Sequence, residues 1–120
     1  MSITVELLEE IGACDDGLDA FEARFPHGVA TWEACVKAAN TALKKVWLAW
    51  LGRHCPAEVE GSTWEARLAV QRDDGERAAL GRFCPTGVAG ATFEARMTLQ
   101  GFDTERAYLI KKREEGEYVV

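Results

Sequence analysis

Residues 63–88 read TWEARLAVQRDDGERAALGRFCPTGV. The stretch opens on a threonine, passes through Asp-Asp-Gly and closes on Pro-x-Gly-Val. Laid against the rest of the chain, it finds counterparts. TVELLEEIGACDDGLDAFEARFPHGV, residues 4–29, carries the same punctuation, and in both stretches the proline falls 22 residues after the threonine. TWEACVKAANTALKKVWLAWLGRHCPAEV, residues 31–59, reaches Pro56 after 25 residues. TFEARMTLQGFDTERAYLIKKREEGEYVV, residues 92–120, starts alike and ends without a proline. The chain therefore divides into four units, 4–30, 31–62, 63–91 and 92–120.

Each unit has the same physical reading. Thr4, Thr31, Thr63 and Thr92 stand where an N-cap is needed, and the Glu two residues on suits the positive end of a helix. Apolar positions follow at helical spacing: Trp64, Leu68 and the stem of Arg67, or Phe93, Met97 and the neighbouring Leu99. An Asp- or Gly-bearing break comes next, with Asn40 in the second unit, and then a second helix that proline stops in the first three units. Eight short helices result, none able to bury its apolar stripe alone. The expectation is an all-α fold: four tandem helix-turn-helix repeats forming one helical-repeat domain over residues 1–120. The rival is α+β, with EYVV (117–120) or GVAGATFEARMTL (87–99) as strands.

Composition narrows the function. With 48% hydrophobic residues and four tryptophans, the chain has the makings of a packed core. The opening MSITVELLEEIG has no basic n-region, and VWLAWLG is too short to cross a bilayer, so a cytoplasmic, non-membrane protein with reduced cysteines is expected. A net charge of −6 argues against direct nucleic-acid binding, whose affinity comes from neutralised phosphates.

Motifs of catalysis are missing from the sequence. No phosphate-binding glycine loop, GxGxxG or GxSxG occurs. Cys55 and Cys84 hold the same pre-proline position as Phe25, an apolar packing site, and Cys14 and Cys35 read as buried thiols as well. A zinc site would require Cys14, His27, Cys35 and His54 to converge without any CxxC spacing. His54 sits near a helix C-terminus, where a partly charged imidazole is favoured. The expectation is no catalytic residue, no metal and no cofactor. Trp32 and Trp64 share a repeat position with Phe93 and read as core. Trp47 and Trp50 lie on a helix that is apolar on most sides, either the central helix or one facing a partner.

The charge is unevenly spread. Residues 1–33 hold eight acidic side chains against Arg24 alone, a balance of −7, while the other 87 residues hold twelve acidic and thirteen basic, a balance of +1. Glu6, Glu9 and Glu10 share a helix face by their i, i+3, i+4 spacing, and Asp15, Asp19 and Glu22 share one at i, i+4, i+7, with Asp16 beside them. These seven are the candidate partner-binding residues, since a single-signed patch steers and selects a complementary surface.

The stretch LLEEIGACDDGLDAFEARFPHGVATWEAC resembles a pattern of small bacterial and phage-borne proteins of unassigned function. It matches at Gly12, Ala13, Cys14, Phe21, Phe25, Pro26, Gly28 and Cys35. At the level of class, small, acidic and helical is also similar to phage inhibitors of host defence, anti-CRISPR proteins among them. The resemblance implies a non-enzymatic inhibitor that docks its acidic face, as a DNA mimic, on a basic nucleic-acid-binding surface of a host protein complex. The alternative is a helical-repeat scaffold that binds a protein through an apolar groove near Trp47 and Trp50.

Overall fold

A computed structural model describes residues 1–39 and 43–118. Along the chain these form β1 (Ile3–Thr4), α1 (Val5–Glu10), α2 (Asp15–Arg24), β2 (Val29–Ala30), α3 (Trp32–Ala38), α4 (Lys45–His54), α5 (Trp64–Ala69), α6 (Asp74–Phe83), α7 (Phe93–Met97) and α8 (Asp103–Glu114). The fold is mainly helical. The body is elongated, 43 × 26 × 22 Å, with α1 on α2, α4 against α5 and α6, and α6 against α7 and α8.

The threonines start helices by one mechanism. Thr4, Thr31, Thr63 and Thr92 each hold an extended backbone, and each hydroxyl accepts from the N–H three residues on, at Leu7, Ala34, Ala66 and Ala95, over 3.1–3.2 Å. Each cap satisfies one donor that the first helical turn leaves open. Glu6, Glu33, Glu65 and Glu94 stand in those first turns as expected.

Strands occur where neither expected segment lies. Ile3–Thr4 pairs antiparallel with Val29–Ala30, Ile3 opposite Ala30 and Thr4 opposite Val29. Fully buried Ile3 drives this pairing by seating the N-terminal segment on the core. The segment 87–99 instead contains the Thr92 cap and α7. Of EYVV, Glu117 and Tyr118 follow α8 as a turn, and the last two residues lie outside those described. Asn40 lies outside them too.

The core changes character along the chain. Its larger part gathers around α1 to α4, with Leu8, Phe21, Trp32, Leu48 and Leu51 buried beside Cys35 and Cys55. A smaller part holds Trp64, Leu80, Cys84 and Val88. Between and beyond them lie two arginines with no solvent exposure, Arg67 and Arg96. Only the stem of Arg67 was expected to be buried, because a charged head normally stays in water. The structure buries the head as well, for a reason found in the preceding helix.

The last carbonyls of a helix have no partner within it. At the end of α4, Arg67 supplies the donors. Its Nε donates to the Ser62 carbonyl at 2.6 Å, and its terminal nitrogens donate to the carbonyls of Gly52, Cys55 and Pro56 and to Ser62 Oγ. At the end of α6, Arg96 repeats the pattern on Ala91, Gly81, Cys84 and Pro85. Gln71 donates to the carbonyls of Ala49 and Arg67 and accepts from Arg53, while Gln100 donates to those of Ala78 and Arg96 and accepts from Arg82. Every residue of the second set lies 29 positions after its counterpart in the first. Among the described residues, no carboxylate is hydrogen-bonded to either buried guanidinium. The positive charge sits at the negative end of a helix dipole and among carbonyl oxygens, which offsets its desolvation. Burial still pulls the Arg67 pKa below its usual value.

Two helical glycines make room for this arrangement. A Cβ at Gly52 would lie 2.9 Å from Gln71 Nε2, and one at Gly81 would lie 2.6 Å from Gln100 Nε2 and 2.9 Å from the Arg96 carbonyl. The propensity loss of a mid-helix glycine, about 1 kcal/mol, is therefore accepted for close helix approach.

Two outcomes follow for urea unfolding. Arg67→Met, which leaves four carbonyls short of a donor, should lose about 3–5 kcal/mol, whereas Arg77→Met, whose partner Asp74 is fully solvated, should change stability by less than about 0.5 kcal/mol. Gly81→Ala, normally stabilising in a helix by about 1 kcal/mol, should here destabilise by about 1–3 kcal/mol through overpacking. A rise in the Gly81→Ala midpoint would contradict the close approach.

Candidate functional site

The seven acidic candidates are all exposed: Glu6, Glu9 and Glu10 on α1, and Asp15, Asp16, Asp19 and Glu22 on α2. Local sequence explains their placement. Leu7 and Leu8 take the buried side of α1, and Gly17 and Phe21 that of α2, which turns the carboxylates outward. Asp15 and Asp16 also occupy the first turn of α2, where the helix dipole favours negative charge. Packing of α1 on α2 brings the two acidic helices together as neighbours. The four ion pairs among the described residues, Arg72–Glu76, Arg77–Asp74, Arg82–Glu105 and Arg106–Asp103, involve none of the seven. Among the described residues, none of the seven carboxylates is therefore held in an ion pair.

Beside it lies a cavity of about 410 Å³ between α2 and α4. Ala13, Gly17 and Ala20 form one side, and Leu43, Trp47 and Trp50 the other, with Asp16 and Lys44 among its lining residues. Small residues on α2 facing large ones on α4 create the hollow. Trp47 and Trp50 lie on the large-residue side of this hollow. Their helix is central, with Leu48, Ala49 and Leu51 buried, while the indoles themselves are partly exposed in the cavity wall. The Trp47 ring lies 6.3 Å from Phe21 and 6.4 Å from Trp50, centroid to centroid. Trp47 Nε1 is buried and finds no acceptor among the described residues. Gly17 is what lets that indole edge approach α2, since a Cβ there would stand 2.6 Å from Nε1.

The thiols separate into two kinds. Cys35, Cys55 and Cys84 are buried, and burial is the main cause that pushes Cys35 up to about 12 and Cys55 up to about 11, with Cys84 raised in the same direction. Cys14, expected to be buried, is exposed because it is the N-cap residue of α2 and lines the cavity mouth. His54 ends α4 and stacks on Trp50 at 5.3 Å. Burial, followed by neighbouring Arg53, lowers its pKa, so the neutral imidazole is favoured where a partly charged one was expected. Among the described residues, no three His, Cys, Asp or Glu side chains gather as a metal site would require, and no helix is long and apolar enough to cross a membrane.

The sequence pointed to an apolar groove near Trp47 and Trp50 but not to its opposite wall. Trp47 and Trp50 were visible, but their hollow depends on small residues some thirty positions earlier. The available signal was the run of small residues Ala13, just before α2, and Gly17 and Ala20 on it. Comparison with known proteins finds no matching family model, no matching curated protein and no matching solved structure.

The buried thiols set an alkaline limit. Their folded pKa values lie above the unfolded value of 9.0, so the native state holds protons that the unfolded state releases. Stability should be level from pH 7 to 8 and fall between pH 9 and 11, by up to about 1.4 kcal/mol per pH unit for each buried thiol. Urea midpoints across this range measure it, and Cys35→Ala should flatten the decline.

Proposed function

We propose that this protein is a small, non-enzymatic interaction protein that works by occupancy. Its α1 and α2 carboxylates dock on a basic, nucleic-acid-binding surface of a partner protein and compete with the nucleic acid for it. The inhibitor of a host defence complex such as CRISPR–Cas, the class suggested by the sequence, is the concrete form of this reading. The observation that carries it is the set of seven exposed carboxylates on neighbouring helices, none in an ion pair among the described residues.

Charge density supports a mimic. At 1.5 Å per residue, the sixteen residues of α1 and α2 give one carboxylate per about 2–3.5 Å, depending on whether the helices are counted side by side or end to end. Duplex DNA presents one charge per about 1.7 Å. The two densities are close enough for the same cationic channel to accept either.

The scaffold behind this face is read as four tandem helix-turn-helix units in one domain. The four threonine caps and the 29-residue recurrence of the arginine and glutamine contacts support that reading. A scaffold binding through the apolar groove is the second reading, and the cavity at Trp47 and Trp50 favours it.

Capture from host lysate by the tagged protein, at low and at high salt, separates the two. The first reading expects a nucleic-acid-handling complex that is retained at low salt, released at high salt and lost with the triple variant Glu6→Lys, Glu10→Lys, Asp19→Lys. A folded triple variant that captures the complex undiminished would refute it.

A further inference from the structure

The α2–α4 cavity is more than a hollow beside the acidic face. It sits in the same helix that carries Asp15, Asp16, Asp19 and Glu22, and Asp16 belongs to both. Its volume of about 410 Å³ falls in the range of sites that enclose a small ligand or a large side chain. We propose that this cavity is the anchor pocket of the docking site: it takes one aromatic side chain of the partner, presented next to lysine or arginine residues that meet the α2 carboxylates. The proposal rests on the docking function above and names the chemistry of the partner segment.

Three observations converge on that occupant. First, the walls are mostly apolar, with the Trp47 and Trp50 indoles on the α4 side, and stacking against them suits a flat side chain. Interfaces draw most of their affinity from a few such buried anchors. Second, the wall contains an unmet donor. Trp47 Nε1 has no acceptor among the described residues, and a buried N–H left unpaired is costly. Nε1 faces Gly17 on α2 and is closed to solvent, so a turn of the ring toward the cavity would let a carbonyl of the inserted segment supply what the chain does not. Third, the charges around the mouth are ordered. Exposed Asp15, Asp16 and Asp19 stand on the α2 side, while Lys44 lines the α4 side and Lys45 follows it. A segment whose basic residues lie on α2 and whose backbone carbonyls face Lys44 and Trp47 meets both signs correctly.

Gly17 ties the parts together. A glycine in the first turns of α2 lowers helix propensity, yet any side chain there would strike the Trp47 indole at Nε1 and Cδ1, 2.6 and 2.9 Å away. The position keeps the indole edge seated on α2 and the cavity beside it open.

The test uses three short peptides as probes: Gly-Lys-Arg-Trp-Lys-Gly, the same peptide with alanine for tryptophan, and the same with glutamates for the three basic residues. Binding is followed in the intact protein by the NMR signal of the Trp47 indole N–H. The basic tryptophan peptide should bind and shift that signal, and each of the other two should bind at least about tenfold more weakly. Gly17→Leu should weaken binding by about the same factor. Because that variant risks its fold, N-ethylmaleimide capping of Cys14, the one exposed thiol and a lining residue of the cavity, provides an independent block. If the alanine peptide binds as well as the tryptophan peptide while the triple lysine variant loses both, the acidic face docks alone and the anchor pocket is refuted. If neither charge reversal nor peptide charge matters, the docking function fails at this site as well. If no peptide moves the indole signal, the cavity is not an anchor site.

Discussion

An arginine placed in a protein core without a carboxylate must find other compensation, and here it finds the end of a helix. Arg67 reaches back to the last carbonyls of α4, and Arg96 does the same for α6. Each guanidinium therefore fastens its own helix, α5 or α7, to the last turn of the helix before it, α4 or α6. The remainder follows from that requirement. Pro56 and Pro85 end the helices where the guanidinium arrives, Gly52 and Gly81 let the next helix come close, and Gln71 and Gln100 complete the donor set. Changing either arginine or either glutamine leaves buried carbonyls unmatched, and a side chain at either glycine would crowd the contact.

The first half of the molecule solves the same packing problem without charge. Four residues after the caps Thr4 and Thr31 stand Leu8 and Cys35, where Arg67 and Arg96 stand later. Leu8 and Cys35 belong to the larger apolar core, together with Phe21, Trp32 and Leu51. With its stability drawn from apolar burial, this half can leave its carboxylates unpaired on the surface. In the second half, basic residues bind neighbouring acids, as in Arg82 with Glu105 and Arg106 with Asp103. The division of labour places the unneutralised charge and the open cavity in the same half of the chain.

How far these features were legible in the sequence depended on the range of the interactions. Threonine caps act over three residues, so Thr4, Thr31, Thr63 and Thr92 announced four helix starts directly. Prolines marked three ends for the same reason. The β1–β2 pairing joins Ile3 to Ala30 through two residues a side, too little pattern for alternation to show. Arg67 and Arg96 were visible as repeat positions, yet a charged residue defaults to the surface unless its partners are known. The signal was present in the spacing: Gly-x-x-Cys-Pro followed by Arg-x-x-x-Gln, twice, 29 residues apart. The acidic candidates were placed outward correctly by helical spacing. Cys14 was not, because its exposure comes from its place at the start of α2 rather than from its chemistry.

The account depends most on the buried guanidiniums, and hydrogen exchange of the Arg67 and Arg96 Nε–H groups, read by NMR on the native protein, examines them directly. Donation from both Nε atoms to the Ser62 and Ala91 carbonyls predicts protection that persists until the whole molecule unfolds. Exchange at the rate of a solvated arginine side chain would mean that the guanidiniums do not hold the helix ends, and the arrangement described here would be wrong.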